Sequence, residues 1–157
     1  MDYERSTQAM TLAALPEPLR SAVRAKAEAQ QLTVADDAAA FLTDSRRLKK
    51  PGLLARMTKT GDPDTEHRAA LVIGAKDVLV CTHGEQRGTA VLTARLEDVD
   101  TEDKLAAMRN DSGISVNGFP VSGGEGTGRG SFFFGLGDPD GDAAKAAQDS
   151  AIHAAKA

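Results

Sequence analysis

An α+β fold is predicted: about six or seven antiparallel strands followed by one C-terminal helix, with a helical hairpin in front of them. Three observations carry this expectation. Residues 68–99, RAALVIGAKDVLVCTHGEQRGTAVLTARLEDV, hold the densest apolar material and read as three consecutive strands joined by two tight turns. Residues 138–156 start with DPDGD and continue as an alanine-rich amphipathic helix. Residues 1–50 are rich in alanine and helix-favouring company, which gives a division into a helical segment, 1–50, and a strand-rich domain with its closing helix, 52–157.

Taken in order, residues 1–11 read as a frayed end. Residues 18–31 read as a helix through Leu19, Ala22 and Val23. Thr33 then caps a second helix, with Asp36 as an imperfect capping box, running through Ala38, Ala39, Ala40, Phe41 and Leu42 and finishing by Lys49, ahead of Pro51. From Gly52 the pattern turns to strands. Residues 53–59 are a first candidate, and GDPD at 61–64 is a turn signal. Strands follow at 68–74 and 78–83, joined by Gly74-Ala75-Lys76-Asp77, and then at 88–96 after a turn at 84–88. In that third strand Ala90, Leu92, Ala94 and Leu96 share one face and Thr89, Thr93 and Arg95 the other, the pattern of a half-buried antiparallel strand. Residues 97–110 fit an irregular strand or a short helix equally. Residues 113–119 form a strand with Ile114 and Val116 on one face, and 131–136 form the last, with Phe132, Phe134 and Leu136 together. Between them lies a loop, 121–130, with SGGEGTGRG at its heart. In the last helix Asp138 is the expected N-cap and Pro139 the first helical residue, and Ala144, Ala147, Ala151, Ile152 and Ala155 make an apolar stripe.

Charge narrows the class of partner. The net charge is −4, from 23 acidic and 19 basic residues, so a globally basic nucleic-acid footprint is absent. There is no Trp and a single Tyr, which leaves few stacking platforms for single strands. Nucleic acid is not an expected partner. One cysteine, Cys81, rules out an intrachain disulfide and fits a reducing compartment. The N-terminal residues carry both charge signs with no apolar h-region, and no apolar run approaches the ~20 residues a spanning helix needs. A soluble, cytoplasmic chain without an integral membrane segment is expected.

The order of elements resembles a bacterial pleckstrin-homology-like (PH-like) barrel domain. The stretches that carry the resemblance are HRAALVIGAKDVLVC, GTAVLTARLEDV, GISVNGF and GSFFFGLGDPDG with the helix after it, and it covers residues 52–157. The resemblance implies an antiparallel barrel capped by a C-terminal helix, and binding rather than catalysis. In lipid-binding members, basic residues around the first hairpin grip phosphoinositide headgroups. The matching region here has Arg56, Lys59 and Arg68, interrupted by Asp62, Asp64 and Glu66, a poor phosphate cradle.

Candidate chemistry is sparse. Cys81 and His83 fall two apart on a strand and share a face, but a Cys–His nucleophile pair needs an orienting third group that the neighbourhood does not supply. A small buried Cys beside a strand-end His is the simpler account. Asp138, Asp140 and Asp142 open like a calcium loop, yet Ala143 stands in place of the required Gly and Asp149 in place of the bidentate Glu, so capping is preferred to metal. The glycines of 123–130 lack a GxGxxG register and precede a strand, so they make a hairpin loop rather than a phosphate cradle, with Arg129 near its end as a contact residue. Arg46, Arg47, Lys49, Lys50, Arg56 and Lys59 form an acid-free basic run at the joint between helices and strands, suited to an anionic partner or to solvation. The function expected is a non-enzymatic binding or assembly module, with a protein partner or self-association and no cofactor or metal. The alternatives are a small ligand-binding or hydrolytic barrel using Cys81 and His83, and a peripheral binder of anionic lipid using the basic run.

Overall fold

The structure, a computed structural model, describes residues 3–48, 65–101, 113–120 and 129–157. Five strands form one antiparallel sheet in chain order: β1 (Tyr3–Thr11), β2 (Ala39–Arg47), β3 (Glu66–Ile73), β4 (Asp77–Gly84) and β5 (Gly88–Arg95). The chain passes between β1 and β2 through a 3-10 turn (Leu12–Ala14) and a helix, α1 (Leu19–Ala29). A second 3-10 turn (Leu96–Asp98) leads to a small sheet of β6 (Asp100–Thr101), β7 (Gly113–Pro120) and β8 (Arg129–Gly135), and α2 (Gly141–Lys156) ends the chain. The class is α+β, and the C-terminal helix follows the last strand. The described strands form two separate sheets and do not close into a barrel.

The five-stranded sheet is covered on both faces, which explains the unbroken apolar runs in its middle strands. On one face Ala40, Leu42, Ala70, Val72, Leu79 and Cys81 meet Leu19, Val23 and Ala27 of α1. These three helical residues are four apart, so they form a single buried stripe. On the other face Phe41, Leu71, Val78, Val80 and Ala94 meet Ile114, Phe119 and Phe134 of the small sheet and Ala144 and Ile152 of α2. Each fully buried Leu, Val or Phe contributes about 1.5–3 kcal/mol relative to exposure. The two cores therefore clamp β3 and β4 between them.

α1 ends in a Schellman arrangement. Gln31 N donates to Glu28 O, Leu32 N donates to Ala27 O at 2.8 Å, and Gln31 sits in the left-handed region at φ 57°. At its start Ser21 N donates to the Glu17 carboxylate at 3.2 Å, taking up one donor of the first turn.

Three expectations are corrected. The second helix of the N-terminal hairpin is the strand β2: Ala40, Phe41, Leu42 and Thr43 are all buried, so the segment packs on both faces and tertiary burial overrides its alanine propensity. Residues 3–11 are not frayed but form β1, paired to β2 along its length from Tyr3↔Arg47 to Thr11↔Ala39. The last helix starts at Gly141 with Asp140, not Asp138, at its cap position. Residues 137–140 serve instead as a strap on the outer edge of β1. Thr7 N donates to Asp138 O, Asp140 N donates to Thr7 O, and Ala9 N donates to Asp140 Oδ2 at 2.9 Å. Gly137 N donates to Thr7 Oγ1, which in turn pairs with Thr43 Oγ1 at 2.7 Å inside the core. A strand edge that would otherwise present open donors is thereby paired.

Three helical and strand expectations hold closely. α1 spans 19–29 against an expected 18–31, β3 to β5 match the three-strand reading of 68–99, and Phe134 and Leu136 point together into the core. Of the open stretch 97–110, the described part is the turn Leu96–Asp98 and the short strand β6. The strand expected at 53–59, the turn at 61–64 and the glycines at 123, 124, 126 and 128 lie outside the described residues.

Candidate functional site

The sheet face under α1 changes character part-way along its strands. Leu42 of β2, Ala70 of β3 and Cys81 of β4 lie beneath the helix. Two residues further on, past the helix N-terminus, the same face carries Asp44, Arg68 and His83. Register places them side by side: Ser6↔Asp44, Asp44↔Arg68, Arg68↔His83 and His83↔Thr89 make one row across all five strands. A second row, Glu4↔Arg46 and Arg46↔Glu66, runs beside it. Apart from Thr89, the residues of both rows line an open cleft of about 600 Å³ together with Glu17 and Pro18 from the start of α1.

The floor of the cleft is held by cross-strand contacts. Arg68 Nε donates to Asp44 Oδ1 at 2.8 Å, Arg46 and Glu66 face each other at 3.9 Å, and His83 Nδ1 pairs with Thr89 Oγ1 at 2.7 Å. Signs alternate in both directions: Asp44 and Arg46 along β2, Glu66 and Arg68 along β3, and opposite charges across each pair. The side chains of Asp44, Arg46, Glu66 and Arg68 are all exposed, Arg68 least at 48%, so each pair is worth about 0–1 kcal/mol and opens cheaply. On the wall, hydrogen bonding from Ser21, ahead of the Arg20 guanidinium, holds the Glu17 carboxyl below its usual value. Phe, Tyr and Trp are absent from the described lining.

The residues singled out in the sequence are distributed as follows. Cys81 and His83 do share a face, two residues apart, but Cys81 is fully buried under α1 while His83 stands at the cleft. Burial pushes the Cys81 thiol up to about 11, so it stays protonated at neutral pH, the opposite of an activated nucleophile. Arg46 lines the cleft between Glu4 and Glu66, and Arg47 is its neighbour on the opposite face of β2. Lys49, Lys50, Arg56 and Lys59 lie outside the described residues, and so does the side chain of Arg129, which opens β8 opposite Pro120. Asp140 is engaged by the Ala9 amide. Among the described residues no group of three or more His, Cys, Asp or Glu is arranged to hold a metal ion. Among the described residues no helix is long and apolar enough to cross a membrane.

Sequence reasoning missed Glu4, Glu17, Asp44 and Glu66 as members of one site. The available signal was a period-2 face that is apolar at 40, 42, 70 and 72 and charged at 44, 46, 66 and 68. It becomes visible only once β2 is recognised as a strand. Compared with protein-family models, curated proteins and solved structures, the chain matches none.

Proposed function

We propose that the chain is a non-enzymatic binding module and that its partner is a protein segment taken up in the cleft beyond the N-terminus of α1. The observation that carries this is the open, charged cleft built across a sheet whose two faces are otherwise packed. Binding sites favour rigid elements that display adaptable side chains, and here strands fix the Cα positions while exposed charges stay free to re-pair. The remote resemblance to PH-like domains, which is part of this proposal, points to the same class. Arg46 stands between Glu4 and Glu66, which favours a protein partner over an anionic lipid surface. The protonated, buried Cys81 supports binding rather than thiol chemistry.

Panning a random-peptide library on the wild-type chain and on an Asp44→Ala/Arg68→Ala variant tests the reading. The substituted pair is exposed, so the fold is retained. Peptides enriched on the wild type are expected to lose about tenfold or more in affinity on the variant, the loss expected for interface charges. No enrichment on the wild type, or equal affinity for both, overturns it.

A further inference from the structure

We infer that the cleft selects an extended peptide whose alternate side chains carry opposite charges. The inference rests on the binding reading above and names the partner's chemistry. Along β2, Asp44 and Arg46 are two residues apart, and so are Glu66 and Arg68 along β3. That spacing is about 6.4–6.8 Å in any strand, and an extended peptide places its i and i+2 side chains at the same interval. Because β2 and β3 are antiparallel with Asp44↔Arg68 and Arg46↔Glu66 opposed, the four charges form a checkerboard. A peptide of uniform charge meets as much repulsion as attraction there. One with Lys and Glu at alternate positions sets its Lys over Asp44 or Glu66 and its Glu over Arg46 or Arg68 in a single register.

Size and composition narrow the occupant further. Two turns of a helix about 10 Å across fill more than the cleft's ~600 Å³, whereas a few extended residues fit. The described lining offers no Phe, Tyr or Trp on which a base or sugar ring would stack. Re-pairing costs little, since Asp44, Arg46, Glu66 and Arg68 are exposed and exchange one weak ion pair for another.

The test uses two labelled synthetic peptides of identical composition, read by fluorescence anisotropy. One carries Lys-x-Glu-x-Lys-x-Glu and the other x-Lys-Glu-Lys-Glu-x-x, in which i and i+2 charges are alike and the two signs are segregated to opposite faces of the extended chain. Wild type is expected to bind the alternating peptide about tenfold more tightly, the factor expected of two or three weak charge contacts acting together. In the exchange variant Asp44→Arg/Arg68→Asp, β2 carries two bases and β3 two acids, so the preference inverts to the segregated peptide. Equal binding of the two peptides by wild type, or the same preference in the variant, overturns the inference. If neither peptide binds while library-selected peptides do and depend on Asp44 and Arg68, the alternating-charge inference falls and the cleft reading stands. If the selected peptides fail too, both fall.

Discussion

Replacing Gln148 with Met should raise the stability of the protein. Gln148 lies on α2 between Ala144 and Ile152, at four-residue spacing, and faces the core with no exposed surface. Neither its Nε2 nor its Oε1 has a hydrogen-bond partner. An unpaired buried amide costs about 1–3 kcal/mol by mutational measure. Met keeps the length and flexibility of the side chain without the polar atoms, so the change is close to volume-conserving and adds little strain. The expected gain is therefore about 1–3 kcal/mol, or about 2–12 °C in Tm for a chain of this length. Calorimetry measures the Tm, and urea titration checks that the midpoint rises with an unchanged slope. Gln148→Glu is the complementary variant, and it should lower the Tm because it buries a charge. A Tm for Gln148→Met equal to or below wild type, at unchanged slope, refutes the reasoning. It would mean that the amide is satisfied by a buried water that Met expels.

Four further outcomes are expected. Gln31→Gly relieves the left-handed position that closes α1 and should add about 0.5–1 kcal/mol in urea titration, the excess of αL strain over the added chain entropy. Gly137→Ala places a methyl group against the backbone carbonyl of Arg5, so the 137–140 strap must shift, at about 1–3 kcal/mol, and the amides of Thr7 and Ala9 should lose protection in hydrogen exchange. Thr7→Val leaves Gly137 N–H and the Thr43 hydroxyl without their partner and should cost about 1–3 kcal/mol, with Thr7→Val/Thr43→Val costing less than the sum of the singles in a double-mutant cycle. For Cys81 the raised pKa means that the folded chain keeps a proton the unfolded chain loses. Its contribution is intact below pH 9 and is lost as pH climbs towards about 11, roughly 2–3 kcal/mol in all, so the alkaline fall in stability should be shallower in Cys81→Val than in wild type.

The strands between 66 and 95 and both helices were legible because their signals are local: apolar runs bounded by turn residues at 74–77 and 84–88, and alanine stripes at helical spacing. β2 was not, because AAFLT buries four consecutive residues on two faces and so has no period to read. Its three alanines at 38–40 then tipped the reading towards helix, where propensity is a weak prior. β1 gave no signal for the opposite reason. As the outermost strand of the sheet it is polar almost throughout, and Thr7 is its fully buried residue, through a hydroxyl pair with Thr43 that is 36 residues away. Losing both strands also hid the cleft, since its rows exist only through the β1–β2 and β2–β3 registers.

The same double burial accounts for where the charges go. In a sheet packed on one face, polar side chains spread along the whole length of the other face. Here α1 takes one face and the small sheet with α2 takes the other, so β2, β3 and β4 can carry charge only where a layer stops. On the α1 side that limit is set by Glu17 and Pro18, and the first outward positions beyond it are Asp44, Arg68 and His83. The register of β2 on β3 then converts four separate strand-end residues into a two-by-two array of alternating sign. A slip of one residue between these strands would turn one strand's members of that array to the opposite face. The apolar clamp that fixes the register for stability therefore also fixes the charge pattern that the cleft presents.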